Sequence, residues 1–394
     1  MSTKVKRRLD VVLSLALYWI TRFLVVFVHP QKDKFFFVSL NGNNYGDNVK
    51  CLSDFILKNY PNSTIVWAFS EVYFNKVNCD TKKVILGTFA YYYHILTSKF
   101  IIHNVGFRFE QFRKRRGQIV LNTWHGTSLK KLGVDYYKHQ GGMMYKLFGY
   151  DYIEYNAKMT DLFLSGSRYM SNIFHNALLQ EMGVIHEVGT PRNDVFFQDR
   201  PDLIRKVREY FRIDDNAFIL LYAPTFRDDF SIEYYDIDLK RIKSIIEIQE
   251  ERRVIVIVRW HPKFVNIHSK VENILPSDFI DATFYPDMQE LLYASDMLST
   301  DYSSSMFDFM YSYKPVLLYV PDRDLYERGF YYDIDKLPFI VVNKNSEIEV
   351  KLNSYNQNEY VTRLNAFFEE IGSVECGMAT VKAYDLLLST SENV

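Results

Sequence analysis

Short apolar runs recur along this chain, and a stretch with helical periodicity follows most of them. The clearest run is VIVIV at 254–258, which contains only β-branched residues and is typical of a strand buried on both faces. Strands that alternate with helices predict parallel sheets flanked by helices, which is an α/β fold. The other runs predicted as strands are residues 35–40, 65–68, 83–86, 100–102, 118–121, 163–165, 185–188, 218–222, 297–299 and 316–319.

The predicted strands fall into two similar sets. A chain of 394 residues exceeds what one hydrophobic core usually organises, so we expect two domains. The stretch 195–215 between the sets is charged and contains Pro201, and it marks a boundary near residue 200. We therefore expect an N-terminal domain at 31–200 and a C-terminal domain at 201–394 that includes the last helix. A cleft between two domains is the default place for an active site.

Residues 1–30 differ from the rest of the chain. A basic leader with Lys4, Lys6, Arg7 and Arg8 precedes an almost wholly apolar run at 9–28. The polar exceptions Asp10, Ser14, Tyr18, Thr21 and Arg22 fall on one side of a helix. This one-sided pattern favours an amphipathic helix lying in the membrane interface, with its basic leader near anionic lipid. A membrane span and a helix packed on its own protein remain alternatives, and no cleavage site of a secretory signal follows.

Charge and cysteine content exclude several classes of protein. The formal net charge is −1, so there is no global attraction to nucleic acid and any anion binding must be local. Three widely spaced cysteines provide neither a disulfide framework nor a metal-binding pair. We expect a protein of a reducing compartment.

Ligands of open α/β sheets bind beyond the carboxyl ends of the strands, and the first polar motif in such a place is NTWHGTSLKKLG at 122–133. The unperturbed pKa of a histidine side chain lies near neutrality, so a histidine at this position, His125, is suited to proton transfer. Gly126 permits close backbone approach, Thr127 or Ser128 is expected to cap a following helix, and Lys130 adds positive charge at its start. The alternative is a loop histidine beside a solvated basic face.

A second motif, GTPRND, follows the predicted strand 185–188. Arg192 in this motif presents a planar cation that binds phosphate or carboxylate. The alternative is that Arg192 and Asp194 tie the domain junction together.

The C-terminal half contributes two motifs with arginine. Thr225 and Arg227 lie in APTFR after the run 218–222, and Arg227 could present a fork of donors to phosphate oxygens. Arg259 and His261 lie in RWHP after the run 254–258, where Pro262 stops the strand. A cation and an imidazole at the end of a buried strand are costly without a partner, which favours a site role.

The last motif is STDYSSS at 299–305. Thr300, Asp301, Ser303 and Ser304 precede a predicted helix at 306–313, and hydroxyls and amides at a helix start form an anion or ribose-phosphate site that needs no metal. Ordinary helix capping is the alternative for Asp301. The sequence contains no P-loop, GxGxxG, HExxH or paired-cysteine pattern. Together the motifs predict a phosphorylated substrate, with no cofactor and no tightly held metal.

NTWHGTSLKKLG, GTPRND, YAPTFR, RWHP and STDYSSSMFDF, in this order, resemble the CDP-glycerol glycerophosphotransferase family of teichoic-acid synthesis. The resemblance spans most of residues 35–390 and includes SLNGNNYGDNVK and the closing GSVECGMATVKAYDLL. Where the family usually has Asp-Gly near the end, this chain has Glu375, Cys376 and Gly377.

The resemblance implies a GT-B fold, in which two Rossmann-like domains face a central cleft. It implies CDP-glycerol or CDP-ribitol as donor, bound mainly by the C-terminal half, and a lipid-linked saccharide or growing polyol-phosphate chain as acceptor. It also implies that His125 and His261 are catalytic, with interchangeable roles. The one-sided helix at 9–28 and the cysteine content together predict a peripheral protein on the cytoplasmic face of the bacterial membrane. The rivals are a GT-B glycosyltransferase, which releases a nucleoside diphosphate rather than CMP, and a non-catalytic membrane-bound anion-binding protein.

Overall fold

The predicted alternation of strands and helices is present in the computed structural model, which describes residues 3–108, 112–140, 143–227, 232–261, 276–326 and 328–392. The chain divides into two units. The first unit consists of Met1–His125, Leu132–Asp194 and Ser373–Val394. The second consists of Gly126–Lys131 and Val195–Gly372.

The strands match the apolar runs of the sequence closely. They are β1 Gln31–Val38, β2 Thr64–Phe69, β3 Lys82–Ile85, β4 Ser98–His103, β5 Ile119–Asn122, β6 Leu162–Ser165, β7 Ile185–Glu187, β8 Phe218–Tyr222, β9 Val254–Val258, β10 Ile280–Asp281, β11 Met297–Thr300, β12 Val316–Tyr319 and β13 Ile340–Val342. β10 and β13, which have only two and three residues, do not correspond to any strand predicted from the sequence.

The helices between the strands vary in length. They are α1 Thr3–Leu24, α2 Asp47–Asn59, α3 Glu71–Phe74, α4 Phe89–Thr97, α5 Gly133–Gln140, α6 Met143–Met159, α7 Arg168–Leu178, α8 Pro201–Phe211, α9 Leu239–Glu250, α10 Met288–Ala294, α11 Ser305–Phe309, α12 Ile348–Asn353, α13 Gln357–Ile371 and α14 Ala379–Glu392. Pro201, which the sequence placed in a linker, is the first residue of α8, where its missing N–H has no intrahelical partner to lose.

Both sheets are parallel, and each has one reversal of strand order. The first unit has the order β3-β2-β1-β4-β5-β6-β7, and the second has β10-β9-β8-β11-β12-β13. The order therefore reverses between β1 and β4 in the first sheet and between β8 and β11 in the second. Ligands of doubly wound sheets bind at such a switch point, beyond the carboxyl ends of the two strands.

Alternation along β1 builds two core layers in the first unit. Phe35 and Phe37 pack with Leu52 of α2 and Leu387 of α14 on one face of the sheet. Phe36 packs on the opposite face, because successive strand residues point to opposite sides. The last helix thus belongs to the first unit, whereas the sequence placed it in the C-terminal domain.

Helix α1 packs on its own unit through part of its polar stripe. Tyr18 and Thr21 are buried, the Ser14 hydroxyl is bonded to the Tyr92 hydroxyl of α4, and the Arg22 guanidinium donates to the Tyr18 hydroxyl at 2.7 Å. The polar stripe, from Ser14 to Arg22, therefore faces protein as well as water. The side chain of Asp10 and those of the basic leader lie outside the described residues. Among the described helices, none combines the length and apolarity that a membrane crossing requires.

The opposite face of α1 and the residues after it are apolar and exposed. Phe23 and Phe27 are 77% and 93% exposed. We call this set the N-terminal apolar surface; its members are Val12, Leu13, Trp19, Ile20, Phe23, Leu24, Val26 and Phe27. The predicted one-sided character of this segment is present, with the apolar side outward.

Candidate functional site

A polar network spans the switch point of the first sheet. Asn104 directly follows β4, and its side-chain amide donates to the Ser39 hydroxyl after β1 at 3.1 Å and to the Asp47 carboxylate at 2.7 Å. Its side-chain oxygen accepts from the backbone N–H of Leu40 at 2.9 Å. Asp47 is the first residue of α2, so this network joins the loops of β1 and β4 to a helix start.

His125 lies beside this network and is oriented by it. The Nδ1 atom of His125 is 2.7 Å from the backbone carbonyl of Asn104. A carbonyl can only accept, so Nδ1 carries the proton in the neutral ring and the Nε2 lone pair can take a proton from a substrate. Trp124, whose ring centroid is 4.2 Å from that of His125, has a φ of 54°. This left-handed backbone turns the chain sharply just before the histidine.

Arg192 holds the same loop from its other side. Its guanidinium donates to the His125 carbonyl at 2.9 Å and to the Asp47 carboxylate at 2.8 Å. Its backbone N–H donates to the Asn48 side chain at 3.0 Å, and that side chain donates in turn to the carbonyl of Trp124 at 3.0 Å. The structure therefore places Arg192 next to His125, as the positions of the two motifs suggested, and gives it a bracing ion pair within one unit.

Asp194, the other charged residue of GTPRND, caps the last helix. Its carboxylate accepts from the backbone N–H groups of Ala379 and Thr380 at 2.9 and 2.8 Å. Glu375, in the segment that departs from the family pattern, accepts from the backbone N–H of Thr190 at 3.0 Å. GTPRND is thus tied to the closing segment inside the first unit.

The residues after His125 were predicted to begin a helix, but they form an extended segment of the second unit. Gly126, Thr127 and Lys130 belong to the second unit, where Lys130 is bridged to Phe330 in antiparallel fashion. The Lys130 ammonium lies 5.9 Å from the ring centroid of Tyr326. Helix α5 begins only at Gly133, so the prediction that Thr127 or Ser128 caps a helix is wrong, because backbone pairing with 329–331 keeps this segment extended.

The switch point of the second sheet contains a buried ion cluster. Arg227 is 5% exposed, and its guanidinium contacts the Asp301 carboxylate at 2.9 Å and the Asp322 carboxylate at 2.7 Å. Burial alone would lower the pKa of Arg227, but the two carboxylates raise it above its ordinary value. Arg227 is therefore engaged within the fold and does not present an open fork to a ligand, in contrast to the role that its sequence position suggested.

Thr225, Thr300 and Asp301 belong to the same cluster. The Thr225 backbone N–H donates to Asp301 at 2.9 Å, and its hydroxyl accepts from Arg227 at 2.5 Å. The Thr300 hydroxyl donates to the carbonyl of Ala223 at 2.6 Å. These bonds join the loop after β8 to the loop after β11, and they set the shape of the strand ends at which a ligand would bind.

Ser303 and Ser304 are half-buried and lie just before α11. The Ser303 hydroxyl accepts from the Ser305 hydroxyl at 2.9 Å, and Ser304 makes no capping bond with its side chain. The α-helix predicted at 306–313 is shorter in the structure, because α11 has five residues and a 3-10 turn follows it. The helix-start contribution to anion binding is correspondingly small.

Arg259 and His261 flank a buried tryptophan at the end of β9. Trp260 is 3% exposed, whereas His261 is exposed and Arg259 is half-buried. The Arg259 guanidinium donates to the carbonyl of Tyr285 at 2.7 Å, and the ring centroid of His261 is 6.1 Å from that of Phe226. The two polar side chains thus alternate with the buried one, and the exposure of His261 removes the burial cost on which the sequence argument for this residue relied. Pro262 lies outside the described residues.

Three residues that organise these clusters were not predicted from the sequence: Asp47, Asn104 and Asp322. Asn104 and Asp322 follow β4 and β12 within a few residues, so the rule that selected the other candidates would have found them. Asp47 carries a different signal, because it is the first residue of α2, where a carboxylate interacts favourably with the positive end of the helix dipole. Its second role depends on contacts with distant parts of the chain.

Comparison with known proteins extends these observations. The model of the family described as CDP-Glycerol:Poly(glycerophosphate) glycerophosphotransferase matches residues 21–389. The chain is 28% identical over 387 residues to a teichoic acid poly(glycerol phosphate) polymerase of Bacillus spizizenii, with 93% of this chain and 95% of that protein aligned. It is also 28% identical to a polymerase of the same name from Staphylococcus epidermidis, but it spans only half of that protein's length.

The fold also matches solved structures. A structure of the wall teichoic acid polymerase TagF has a TM-score of 0.82 and 24% identity, and the match covers 99% of this chain and 97% of that one. The predicted α/β fold of two GT-B-type Rossmann-like units is thereby confirmed.

Proposed function

The chain belongs to the CDP-Glycerol:Poly(glycerophosphate) glycerophosphotransferase family, and we propose that it transfers glycerol phosphate from CDP-glycerol to a lipid-linked teichoic-acid acceptor, releasing CMP. The observation that carries this proposal is the orientation of His125, whose Nδ1 faces a carbonyl at 2.7 Å. This contact leaves Nε2 with the lone pair that a general base needs.

The proposed reaction is a substitution at phosphorus. A primary hydroxyl of the acceptor attacks the β-phosphorus of CDP-glycerol, the bond from that phosphorus to the CMP oxygen breaks, and a phosphodiester forms. His125 takes the hydroxyl proton at Nε2, while His261 and Arg259 stabilise the charge that develops on the phosphoryl oxygens and on CMP. Nothing is oxidised or reduced.

The second unit is the proposed donor-binding unit. Ser303, Ser304 and Lys130 supply donors for the diphosphate, and Thr225, Thr300, Asp301 and Arg227 hold the loops that present them. Gly126 and Thr127 provide backbone N–H groups in the same unit. This assignment is supported by the position of the cluster at the switch point between β8 and β11.

The proposed location is the surface of the bacterial membrane on its cytoplasmic side. The N-terminal apolar surface supports this location, since contiguous exposed apolar side chains of this kind mark membrane or protein contacts. Arg113 lies beside it, with its guanidinium 5.7 Å from the Trp19 ring centroid. A cation next to an interfacial tryptophan suits an anionic lipid surface.

The test is product analysis with defined substrates. The protein is incubated with CDP-glycerol or CDP-ribitol and a lipid-linked disaccharide, and the products are identified by mass. We expect CMP release and addition of glycerol phosphate from CDP-glycerol, with a loss of about 100-fold or more in His125→Ala. Release of a nucleoside diphosphate from a nucleotide sugar would instead identify a glycosyltransferase. Near-normal CMP release by His125→Ala would refute the role of His125.

A further inference from the structure

We propose that Asp47 is a positioning residue that fixes the orientation and tautomer of His125. It does so by binding the two residues that support His125, Asn104 and Arg192. The two oxygens of this carboxylate contact different partners: Oδ2 accepts from the Asn104 side chain at 2.7 Å, and Oδ1 accepts from the Arg192 guanidinium at 2.8 Å. The catalytic importance of this inference rests on the proposed function. The proposed effect of Asp47 on the orientation and tautomer of His125 does not depend on that function.

The first support acts on the imidazole ring. Asn104 presents its backbone carbonyl to His125 Nδ1 at 2.7 Å, and its side chain is fixed by Asp47, Ser39 and the backbone N–H of Leu40. Asn104 is fully buried at 0% exposure, and its side chain and carbonyl belong to one short residue, so we expect loss of the Asp47 contact to shift the carbonyl. Asp47 therefore controls the acceptor that keeps the proton on Nδ1.

The second support acts on the backbone of His125. Arg192 donates to the His125 carbonyl from the same Nη1 atom that contacts Asp47. The side chains of Arg192 and Asp47 are 11% and 8% exposed, so loss of the carboxylate would leave a poorly hydrated cation without its counter-charge. Arg192 would then move to water or to another anion, and the carbonyl contact would be lost.

An ordinary helix cap would not account for this arrangement. Asp47 accepts from the backbone N–H of the adjacent Asn48 at 2.8 Å, but the N-cap position of α2 is Gly46, and no side chain caps this helix. Asp47 also has a φ of 67°, a left-handed conformation that aspartate tolerates better than most residues but that still costs energy. That cost is explained if the conformation aims the carboxylate at Asn104 and Arg192.

The experiment compares Asp47→Asn with Asp54→Asn in the full-length protein. Asp54 lies on the same helix and pairs with Lys50 at 2.6 Å, but its side chain is 45% exposed, so this variant controls for loss of one carboxylate from α2. The tautomer of His125 is observed in the protein labelled with 15N-histidine, through long-range 15N–1H correlations. The His125 signals are assigned by their disappearance in His125→Asn.

We expect the Nδ1-protonated pattern of His125 in the wild type and in Asp54→Asn, and a mixture of tautomers in Asp47→Asn. With CDP-glycerol and acceptor, kcat of Asp47→Asn should fall about 10- to 100-fold, while KM for CDP-glycerol changes less than about threefold.

An unchanged Nδ1-protonated pattern in Asp47→Asn would overturn the proposal, and so would an equal loss of kcat in Asp54→Asn. If the wild type transferred no glycerol phosphate, the proposed function would fail, but the tautomer measurement would still decide the role of Asp47.

Discussion

The guanidinium of Arg227 is buried between two carboxylates and two tyrosine rings. Asp301 and Asp322 contact it at 2.9 and 2.7 Å, and the ring centroids of Tyr302 and Tyr326 lie 4.9 and 5.4 Å from it. The charges of Arg227, Asp301 and Asp322 are buried together. Removal of Arg227 would leave the two carboxylates buried without a counter-charge, which is strongly destabilising. We infer that Arg227 keeps the two loops of the second switch point in place.

Arg227→Met should therefore destabilise the second unit by about 3–5 kcal/mol, since it leaves two buried carboxylates without a counter-charge. The control Arg241→Met removes a surface pair with Glu349 in the same unit, whose side chains are 44% and 52% exposed, and it should cost less than about 1 kcal/mol. The free energy of unfolding is measured from the urea dependence of hydrogen exchange in β8 and β11. Equal losses in the two variants would contradict the inference.

The candidate site could be predicted from sequence in part. His125, Arg192 and Arg259 were selected because they follow apolar runs. The structure places Arg259 directly after β9 and His125 three residues after β5, whereas Arg192 lies in the 3-10 helix Pro191–Phe197 that follows β7. What the sequence could not distinguish is whether a cation serves a ligand or another side chain. For Arg227 that answer depends on Asp322, which is 95 residues away in the chain, and no local pattern reports such a contact.

At the scale of elements, strands were predicted well and helix starts less well. Strands such as β8 and β9, with five buried residues each, show clear runs, whereas the two and three residues of β10 and β13 do not stand out from their surroundings. The segment after His125 was misassigned because Leu129 and Lys131 bond to the backbone of 329–331. This pairing overrides the local signal of Thr127 and Ser128 as helix caps.

Helix α1 has one face packed on the first unit and an opposite face that is exposed. Tyr18 of α1 and Val25, which directly follows the helix, enter a core layer with residues of α4 and β1, which secures the helix to the first unit. The side chains on the other face are exposed although they are large and apolar. A helix with such a division can lie in a bilayer interface without leaving its own domain.

Replacement of Phe23 and Phe27 by aspartate should weaken binding to vesicles that contain phosphatidylglycerol by about tenfold or more, because each phenylalanine contributes about 1.5–3 kcal/mol when buried. Ile248→Asp is the matched control, since Ile248 is an apolar side chain of the second unit with 80% exposure. Binding is measured by co-sedimentation, and circular dichroism verifies the fold. Unchanged binding of the double variant would contradict membrane contact through this surface.

At the scale of the whole molecule, sequence order and structural units do not coincide. The stretch Ser373–Val394 returns to the first unit after the entire second unit has been formed. Leu387 and Ala383 are fully buried in the layer that contains Phe35 and Phe37. A division of the chain at one point could not represent this arrangement, since apolar periodicity shows that a helix is buried but not which sheet it covers.

Leu387→Ala provides a test of this assignment. Loss of a fully buried leucine should destabilise the first unit by about 2–5 kcal/mol, so that hydrogen exchange becomes faster in β1 and β5 while β8 and β9 keep their protection. The neighbouring Leu388→Ala is the control, because Leu388 is 39% exposed and its truncation creates no enclosed cavity. Faster exchange in β8 and β9 instead would place the last helix with the second sheet. The expected pattern would mean that the closing segment stabilises the unit that contains His125. The GTPRND motif would connect this segment to His125, because Asp194 caps α14 and Arg192 contacts the carbonyl of His125.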